Sequence, residues 1–483
     1  MKEWFQKLRR PEAHCMFWVA ACFALTSVVY LAWVYRLVDL GGGKAIDWAT
    51  LVLGYLCQAA GLFLVCHAGR TMSESSLRQW FLIMLLLFSV LSIAALMGDN
   101  FTGTMILGLL MNIAFGVIAG IYLFGIADTG SATHSSLLFG GGYALGTFAV
   151  GLLAIPGNGT LLRGIGALLF CLIGCLCLAA AAHRSRFFDA DVQEEKNQLS
   201  CPARFGHSQA KKETAAFPLP EKVLALACAA VLLASMVKNV GFTFPSSDIA
   251  DGLRPELSRL PYGIGLIAAG LINDRNRKNG IICTITALVI PFIMLNVQSE
   301  PVPRTLLWGL DYLFFSFFSV TRVILFIDLA RKSQRRELIP LGLLLGRVGD
   351  AAGTALGLLL ADRRLLLILT TAVCFIVVVF LLFRLYQKLY EPQSIERKSE
   401  REVYEAFCMH HDLSLREQEI LRMMLDNHTN TEIAEGLFIS VNTVKCHVRN
   451  VLQKTGCRNR VELQKKYKLA LYPHLSETSS VEI

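Results

Sequence analysis

Apolar residues occur in long runs as far as Leu389, and short polar stretches separate the runs. A helix of about 20 apolar residues matches the hydrocarbon thickness of a bilayer and satisfies its own backbone hydrogen bonds. The pattern therefore predicts a polytopic all-α membrane bundle of twelve spans, the eighth of which is short and contains Pro261. The predicted spans are 14–35, 48–66, 79–97, 102–126, 135–155, 161–182, 222–243, 258–272, 280–296, 305–329, 338–361 and 364–386.

The polar stretch 183–220 divides the spans into two sets of six. If the N-terminus is cytoplasmic, the inside loops carry about twice as many Lys and Arg residues as the outside loops. This bias places both termini in the cytoplasm, and an even number of spans also requires them to share a side. We therefore expect a multi-pass membrane protein whose termini both face the cytoplasm.

Composition supports the membrane assignment, because 54% of the 483 residues are hydrophobic and only 17% are charged. In soluble domains, about a quarter of the residues are charged. Most of the fourteen cysteines lie in apolar spans, where Cys behaves as a small hydrophobe. Cys171, Cys175 and Cys177 have no His partner nearby in the sequence, so we predict neither a metal nor another cofactor.

Two short basic turns occupy corresponding places in the two sets of spans: "HAGRTMSESSLRQ" after span two and "GLINDRNRKNG" after span eight. They resemble the Gly-x-x-x-Asp-Arg-x-Gly-Arg-Arg loops of the major facilitator superfamily, which implies a bundle of two six-helix halves. The first copy lacks the Asp, and this departure argues against retained transport. The matching residues are Gly69, Arg70 and Arg78 in the first copy and Gly270, Asp274, Arg275, Arg277 and Lys278 in the second.

After Tyr390 the pattern changes to a charged stretch, for which we predict a linker helix, and then to four short helices from Leu413 onward. Capping boxes, in which a Ser or Thr precedes a Glu by three residues, mark the starts of the first two of these helices. The boxes pair Ser414 with Glu417 and Thr429 with Glu432. We also predict that Asn427 adopts a left-handed conformation, that Ser440 is an N-cap and that Gly456 ends a helix.

The third short helix, in "SVNTVKCHVRN", has one apolar face and one cationic face. At 100° per residue, Lys445, Cys446 and Arg449 point away from the apolar face. A cationic outward face is typical of a helix that reads the major groove, although a basic helix in isolation is more often merely solvated. The predicted apolar contacts are Val444, Val448, Val451 and Leu452 against Ile433, Ala434 and Leu437.

Residues 413–466, with "LSLREQEIL", "TNTEIAEGLFIS", "VNTVKCHVRNVLQKTG" and "NRVEL", resemble the LuxR-type DNA-binding domain in register and without gaps. The resemblance implies DNA as a partner and a homodimer on DNA, paired through residues 460–467. Two residues depart from the family pattern. Thr431 replaces a basic residue that would contact a phosphate, and Thr455 replaces a Leu against which the fourth helix would pack. The resemblance implies that Lys445, Cys446 and Arg449 read base edges and that Thr443, Asn442 and His447 make backbone or framing contacts.

Ionisable residues within spans seven, ten and eleven are candidates for a ligand-sensing site, because charges at membrane depth are costly. One alternative is that Arg322 and Asp350 form a neutralised pair that joins two helices; another places Lys238 at the outer mouth. The five candidates sum to one positive charge, and aromatic residues crowd span ten, so an amphipathic ligand such as an aromatic carboxylate would suit the site. The candidates are Lys238, Asp311, Arg322, Arg347 and Asp350, and the aromatic residues are Trp308, Tyr312, Phe314, Phe315, Phe317 and Phe318.

Together these patterns predict a non-enzymatic, membrane-anchored transcription regulator with a transporter-like sensor domain. A transporter with a regulatory DNA-binding tail is the alternative, and a bilayer domain that only tethers the DNA-binding domain is a third hypothesis. The predicted domains are the membrane domain 1–390 with halves 1–182 and 221–390, the linker 391–412, the DNA-binding domain 413–470 and the tail 471–483.

Overall fold

The computed structural model describes residues 10–129, 134–154, 171–178, 221–240, 253–290, 292–293, 304–390 and 400–471. The chain divides into two compact units, Met1–Tyr390 and Glu391–Ile483. In the described ranges the regular elements are all helical, which confirms the predicted all-α class.

The first unit is a bundle of long apolar helices. Before the polar stretch 183–220 lie α1 to α5, and after it lie α6 to α12; we call these two groups the N-terminal and C-terminal segments of the bundle. The N-terminal helices are α1 (Arg10–Asp39), α2 (Ala45–Thr71, π-helical at Trp48–Leu53), α3 (Glu74–Met97), α4 (Phe101–Thr129) and α5 (Ser135–Ala154), and residues 171–178 are also helical. The C-terminal helices are α6 (Glu221–Val240), α7 (Pro255–Ser258), α8 (Leu260–Arg275), α9 (Arg277–Ala287), α10 (Arg304–Ser333), α11 (Leu341–Leu359) and α12 (Arg364–Leu389), with a 3₁₀ turn at Arg336–Leu338.

Nine helices within the described ranges are long and apolar enough to cross a membrane. They correspond to predicted spans one to five, seven and ten to twelve. Spans eight and nine correspond to α8 and α9, of 16 and 11 residues, and most of span six lies outside the described residues. The count of twelve and its division into six and six therefore remain predictions, as does the loop 183–220.

The glycines of α11 permit a close approach to α6. A Cβ at Gly349 would lie 2.4 Å from the carbonyl oxygen of Leu232 on α6, and a Cβ at Gly353 would lie 2.3 Å from that of Met236. Small residues at such crossings let backbones pack without side chains between them, as is common within membranes. Large apolar residues such as Phe380 on α12 instead face outward, where lipid tails would contact them.

The second unit contains five helices around its own apolar core. They are α13 (Glu400–His410), α14 (Leu415–Leu425), α15 (Asn430–Leu437), α16 (Val441–Thr455) and α17 (Arg460–Leu471). The two predicted capping boxes are both present, and the backbone is left-handed at Asn427 (φ 65°) and Gly456 (φ 68°), as predicted. The core residues include Phe407, Ile420, Leu421, Ile433, Val444, Val451 and Leu463.

The predicted linker helix exists as α13, and it packs on α17. The ring of Phe407 lies 5.4 Å from the ring of Tyr467, edge to face, and the ring of Tyr404 lies 6.2 Å from it. Edge-to-face packing of buried rings is favourable beyond the area that it buries. The linker helix is thus part of the compact second unit.

Candidate DNA-binding surface and ligand cavity

Helices α15 and α16 form a helix-turn-helix whose turn is fixed by local hydrogen bonds. Phe438 ends α15 in the left-handed conformation (φ 56°), and the amide of Ile439 donates to the carbonyl of Ala434 at 3.0 Å. The hydroxyl of Ser440 accepts from the amide of Thr443 at 3.1 Å and so caps α16, as predicted. The angle at which α16 leaves the turn is therefore set by residues next to it in the chain.

The apolar face of α16 packs inward as its periodicity predicts. Val444 and Val451 are fully buried, and Val448 and Leu452 pack at the edge of the same core. Ile433 and Ala434 of α15, two of the predicted partners, are also buried there; Leu437 is partly buried. Thr455 departs from the LuxR pattern but remains buried, because its hydroxyl donates to the carbonyl of Val451 at 2.7 Å.

The opposite face of α16 is exposed and cationic. Lys445, Cys446 and Arg449 are all exposed, and within the described part of the chain neither Lys445 nor Arg449 forms an ion pair. Asn442 and Thr443 are exposed at the start of the helix. Two unpaired cations on one exposed helix face are available to the phosphates and base edges of DNA.

His447 differs from its exposed neighbours on α16. Its side chain is half-buried, and its Nδ1 atom has no hydrogen-bond partner among the described residues. A buried ring nitrogen without a partner is costly. The framing contact that the LuxR resemblance implies for His447 remains a prediction.

Helices α16 and α17 are held to the rest of the second unit by charged side chains. The ammonium of Lys454 lies 2.7 Å from the carboxylate of Glu417, which also caps α14. Burial raises the pKa of Glu417, but Lys454 and the amide and hydroxyl of Ser414 outweigh this effect, so that the net pKa lies below its ordinary value. Arg460 of α17 donates to the carbonyl of His428 at 2.5 Å.

In the first unit, a cavity of about 90 Å³ lies between the two segments of the bundle. Helices α1, α2, α4 and α5 line it from the N-terminal segment, and α6, α8, α10 and α11 from the C-terminal segment. Aromatic side chains cover much of its wall, including Tyr30, Tyr55, Tyr143, Tyr262, Tyr312 and Phe315.

Four of the five candidate charges form one cluster at this cavity. The carboxylate of Asp350 accepts from Lys238 at 2.9 Å, and it lies 3.4 Å from Arg322 and 3.6 Å from Arg347. The predicted pair of Arg322 and Asp350 therefore exists, but within a larger group. Lys238 is buried in this cluster, so the alternative that placed it at the outer mouth is wrong.

The fifth candidate, Asp311, lies apart from this cluster. It is buried, it is not among the residues that line the cavity, and its Oδ2 atom has no hydrogen-bond partner among the described residues. Asp311 and Arg322 are eleven residues apart on α10 and so lie on one face of the helix, but a shared face does not determine which neighbouring helix each residue meets.

The three cations of the cluster contact aromatic rings as well as Asp350. Lys238 Nζ lies 3.8 Å from the ring centre of Phe315, the guanidinium of Arg322 lies 5.4 Å from Phe318, and that of Arg347 lies 5.0 Å from Tyr55. A cation over an aromatic face is attracted by the ring quadrupole, which offsets part of the cost of burial. With one carboxylate among them, the three cations keep two formal positive charges.

Arg259 is a cavity residue that sequence reasoning missed. It is the N-cap of α8, at the start of predicted span eight, and it was not among the candidate site residues. In the structure its Nε donates to the hydroxyl of Tyr312 at 2.9 Å, and both residues line the cavity. Only the spatial approach of α8 and α10 makes Arg259 part of the site.

Residues 411–466 match the model of the family described as bacterial regulatory proteins, luxR family. The chain is 46% identical over 52 residues to the transcriptional regulatory protein DegU of Brevibacillus brevis, covering 11% of this chain and 22% of that protein. It is 40% identical over 65 residues to the transcriptional regulatory protein LiaR of Bacillus subtilis (strain 168), covering 14% and 28%. The chain thus spans about a quarter of the length of the curated relatives that it matches.

Solved structures of two transporters share the fold of most of the chain. The human organic anion transporter MFSD10 (TETRAN) has a TM-score of 0.51 and 15% identity, over 77% of this chain and 99% of that chain. The major facilitator superfamily proton:xylose symporter XylE has a TM-score of 0.53 and 12% identity, over 79% and 95%. The chain therefore joins a helical bundle with the major facilitator fold to a helix-turn-helix domain of the luxR type.

Proposed function

We propose that this protein is a membrane-anchored transcription regulator whose transporter-like domain binds a small molecule and thereby controls the DNA-binding domain. The observation that carries the proposal is the presence, in one chain, of a luxR-type helix-turn-helix with an exposed cationic face and a bundle with a charged cavity between its segments. A protein that only bound DNA would not need such a cavity. Lys445, Cys446 and Arg449 are the proposed base readers, with Asn442, Thr443 and His447 as supporting contacts.

The proposed ligand carries a carboxylate, and an aromatic carboxylate fits the cavity best. The cluster of Lys238, Arg322 and Arg347 keeps two positive charges after Asp350 is counted, and uncompensated charge in a membrane interior is costly. A carboxylate would reduce that charge and could accept charge-assisted hydrogen bonds from arginine. The aromatic wall would stack on a flat apolar body.

A transcription reporter tests the proposal in cells of the source bacterium. Arg347→Gln should abolish the response of the target promoter to an inducer, while the full-length variant remains in the membrane and still binds operator DNA. Arg363→Gln, which alters an exposed arginine outside the cavity, is the matched control and should respond like the unaltered protein. A full response by the Arg347 variant would contradict a ligand site at the cluster.

The target genes and the ligand can be sought together. Deleting the gene for this protein and measuring which neighbouring genes change expression identifies the enzymes under its control, and the substrates of those enzymes indicate the ligand class. If the same genes stay under control of the DNA-binding domain but ignore every small molecule, the bilayer domain is a tether and the sensor proposal fails.

Transport is a second candidate function, and the position of the cavity favours it. Transporters of this fold bind substrates near the bilayer midplane between their two halves. Saturable uptake by the purified protein in proteoliposomes would support a transporter with a regulatory tail. Uptake no faster than that of empty vesicles would support the sensor.

We propose further that both termini and the DNA-binding domain lie in the cytoplasm of a bacterial cell, with the bundle in the cytoplasmic membrane. The excess of Lys and Arg in alternate loops supports this orientation. Accessibility of single cysteines introduced into loops of a cysteine-free variant, probed from outside intact cells, measures it directly.

A further inference from the structure

Arg259 brings a fourth cation to the cavity, apart from the cluster around Asp350. Among the described residues no carboxylate lies within ion-pair distance of it, and its Nε donates to the neutral hydroxyl of Tyr312 at 2.9 Å. Its guanidinium lies 5.5 Å from the ring centre of the same tyrosine. A half-buried arginine whose hydrogen-bond partner in the described part of the chain is a phenol is poised to accept an anionic partner.

An aromatic wall connects Arg259 to the cluster. The ring of Tyr262 lies 5.9 Å from that of Tyr312 and is stacked on that of Phe315 at 5.5 Å. Phe315 in turn lies under the ammonium of Lys238 at 3.8 Å. The cavity therefore has a cation at each end of one continuous aromatic surface.

The distance between the two cationic ends suits a small aromatic molecule. Tyr312 and Arg322 lie ten residues apart on α10, which corresponds to about 15 Å along the helix axis. The guanidinium of Arg322 reaches back to the rings of Phe315 and Phe318, so the gap between the cationic groups is on the order of 10 Å. One or two aromatic rings, or one ring with a short chain, would fill it.

Charge counting favours two anionic groups rather than one. Lys238, Arg259, Arg322 and Arg347 line the cavity as four cations, and no carboxylate is among its described lining residues. The buried carboxylate of Glu256 is paired with Arg254. With the carboxylates of Asp311 and Asp350 both counted as charged, two positive charges remain at the cavity. A monocarboxylate leaves one of them uncompensated, whereas a dicarboxylate neutralises both, and buried charge is stable only when it is paired.

We propose that Arg259 is a second anion anchor and that the ligand is an aromatic molecule with a carboxylate, or an equivalent anionic group, at each end. This inference rests on the proposed ligand-sensing function and assigns its substrate class. One end contacts Lys238, Arg322 and Arg347, the body stacks on Tyr262 and Phe315, and the other end displaces the hydroxyl of Tyr312 from Arg259.

Matched pairs of probes test the class on the full-length protein in lipid nanodiscs. The first pair is benzoate and benzene-1,4-dicarboxylate, and the second is 3-phenylpropanoate and 3-(4-carboxyphenyl)propanoate. Each pair differs only in the second carboxylate. In at least one pair the dicarboxylate should bind about tenfold or more tightly than its partner by isothermal titration calorimetry, as expected for one added charge-assisted contact.

Arg259→Gln should remove this advantage and leave the affinity for the monocarboxylate within about twofold, whereas Arg259→Lys should retain part of it. Arg254→Gln, a change at a nearby arginine that pairs with Glu256 and does not line the cavity, should leave both affinities unchanged. Equal affinities within both pairs in the unaltered protein would overturn the proposal. So would an Arg259→Gln variant that weakens both members of a pair equally, because Arg259 would then shape the cavity without contacting a second anion.

Failure of this inference is distinguishable from failure of the proposed function. If the purified protein prefers dicarboxylates but the promoter does not respond to them, the proposed ligand class is supported and the proposed regulatory function is contradicted. If none of the four probes binds while the Arg347 variant loses its response in cells, the sensor survives and the dicarboxylate class is overturned.

Discussion

At the scale of single residues, the exposed cations of α16 give the most direct prediction about DNA recognition. Lys445→Ala and Arg449→Ala should each abolish specific binding by the fragment 400–483, because a lost base contact costs about 1–3 kcal/mol. Fluorescence anisotropy with the target operator measures the loss. The fragment should also bind more weakly as salt increases, because phosphate contacts release counterions.

The matched control for these variants is Arg422→Ala, an exposed arginine of α14. Arg422→Ala should leave specific binding nearly unchanged. Full specific binding by both the Lys445 and Arg449 variants would show that the assigned register of the recognition helix is wrong.

Sequence periodicity predicts which face of a helix a residue occupies, but not which other helix that face meets. On α16 this was sufficient, because a surface helix has one apolar face and one solvated face, and Val444 is buried where Lys445 is exposed. In the bundle, periodicity was not sufficient. Lys238 was compatible with either the outer mouth or the interior, and only the approach of α6 to α11 joins it to Asp350. Arg259 was missed for the same reason.

At the scale of helices, the ion pair between Glu417 and Lys454 predicts that the stability of the second unit depends on pH. The folded-state pKa of Glu417 lies below its unfolded value, so its contribution to stability is present above about pH 4.3 and is lost as pH falls through the folded pKa. Glu417→Gln should reduce the stability of the fragment 400–483 at pH 7 by about 1 kcal/mol, the typical value of a helix cap. The loss should shrink at pH 3.

Urea denaturation at both pH values measures this effect, with Glu435→Gln at an exposed position of α15 as the control. A variant at position 417 that lost the same stability at pH 3 as at pH 7 would show that shape, rather than charge, holds the two helices together.

Helix starts with a capping box could be predicted to the residue, since the box depends on four neighbouring positions. The boundary between spans eight and nine could not be predicted to the residue. Hydropathy placed a seven-residue loop there, whereas α8 ends at Arg275 and α9 starts at Arg277, with Asn276 between them as the N-cap. The polar residues of this turn are satisfied by tertiary contacts: Asp274 accepts from the amides of Ser136 and Leu137 on α5. A hydropathy window contains no information about such partners.

At the scale of the whole molecule, the end of α12 is connected to the contact between the two bundle segments. Arg277 donates to the hydroxyl of Ser136 at 2.6 Å and to the carboxylate of Asp328 at 3.0 Å. Tyr390, the first residue after α12, donates to the same carboxylate at 2.9 Å. Relative motion of the segments would therefore change the environment of Tyr390 directly.

On the other side of residues 391–399, α13 packs on α17, the helix through which the LuxR resemblance implies pairing on DNA. Val461 and Lys465 of α17 are exposed, while Leu463 and Tyr467 face the core. A force applied to α13 would act on α17 through the rings of Phe407 and Tyr467. Each end of the segment 391–399 is thus joined to an element that the proposed signal would have to move.

Signal should accordingly pass from the bundle to DNA through this segment, by controlling whether two DNA-binding domains can pair. A ligand shifts that equilibrium only by binding one conformation of the bundle better than the other. Inserting a long flexible Gly/Ser stretch after Pro392 should leave operator binding intact but abolish its response to ligand, because a flexible chain transmits neither rotation nor displacement. The reporter assay measures both properties, and the same insertion after Ser476, beyond α17, is the control that should respond normally. A protein that still responded fully with the insertion after Pro392 would rule out mechanical coupling through the linker and would require the two units to communicate by another route.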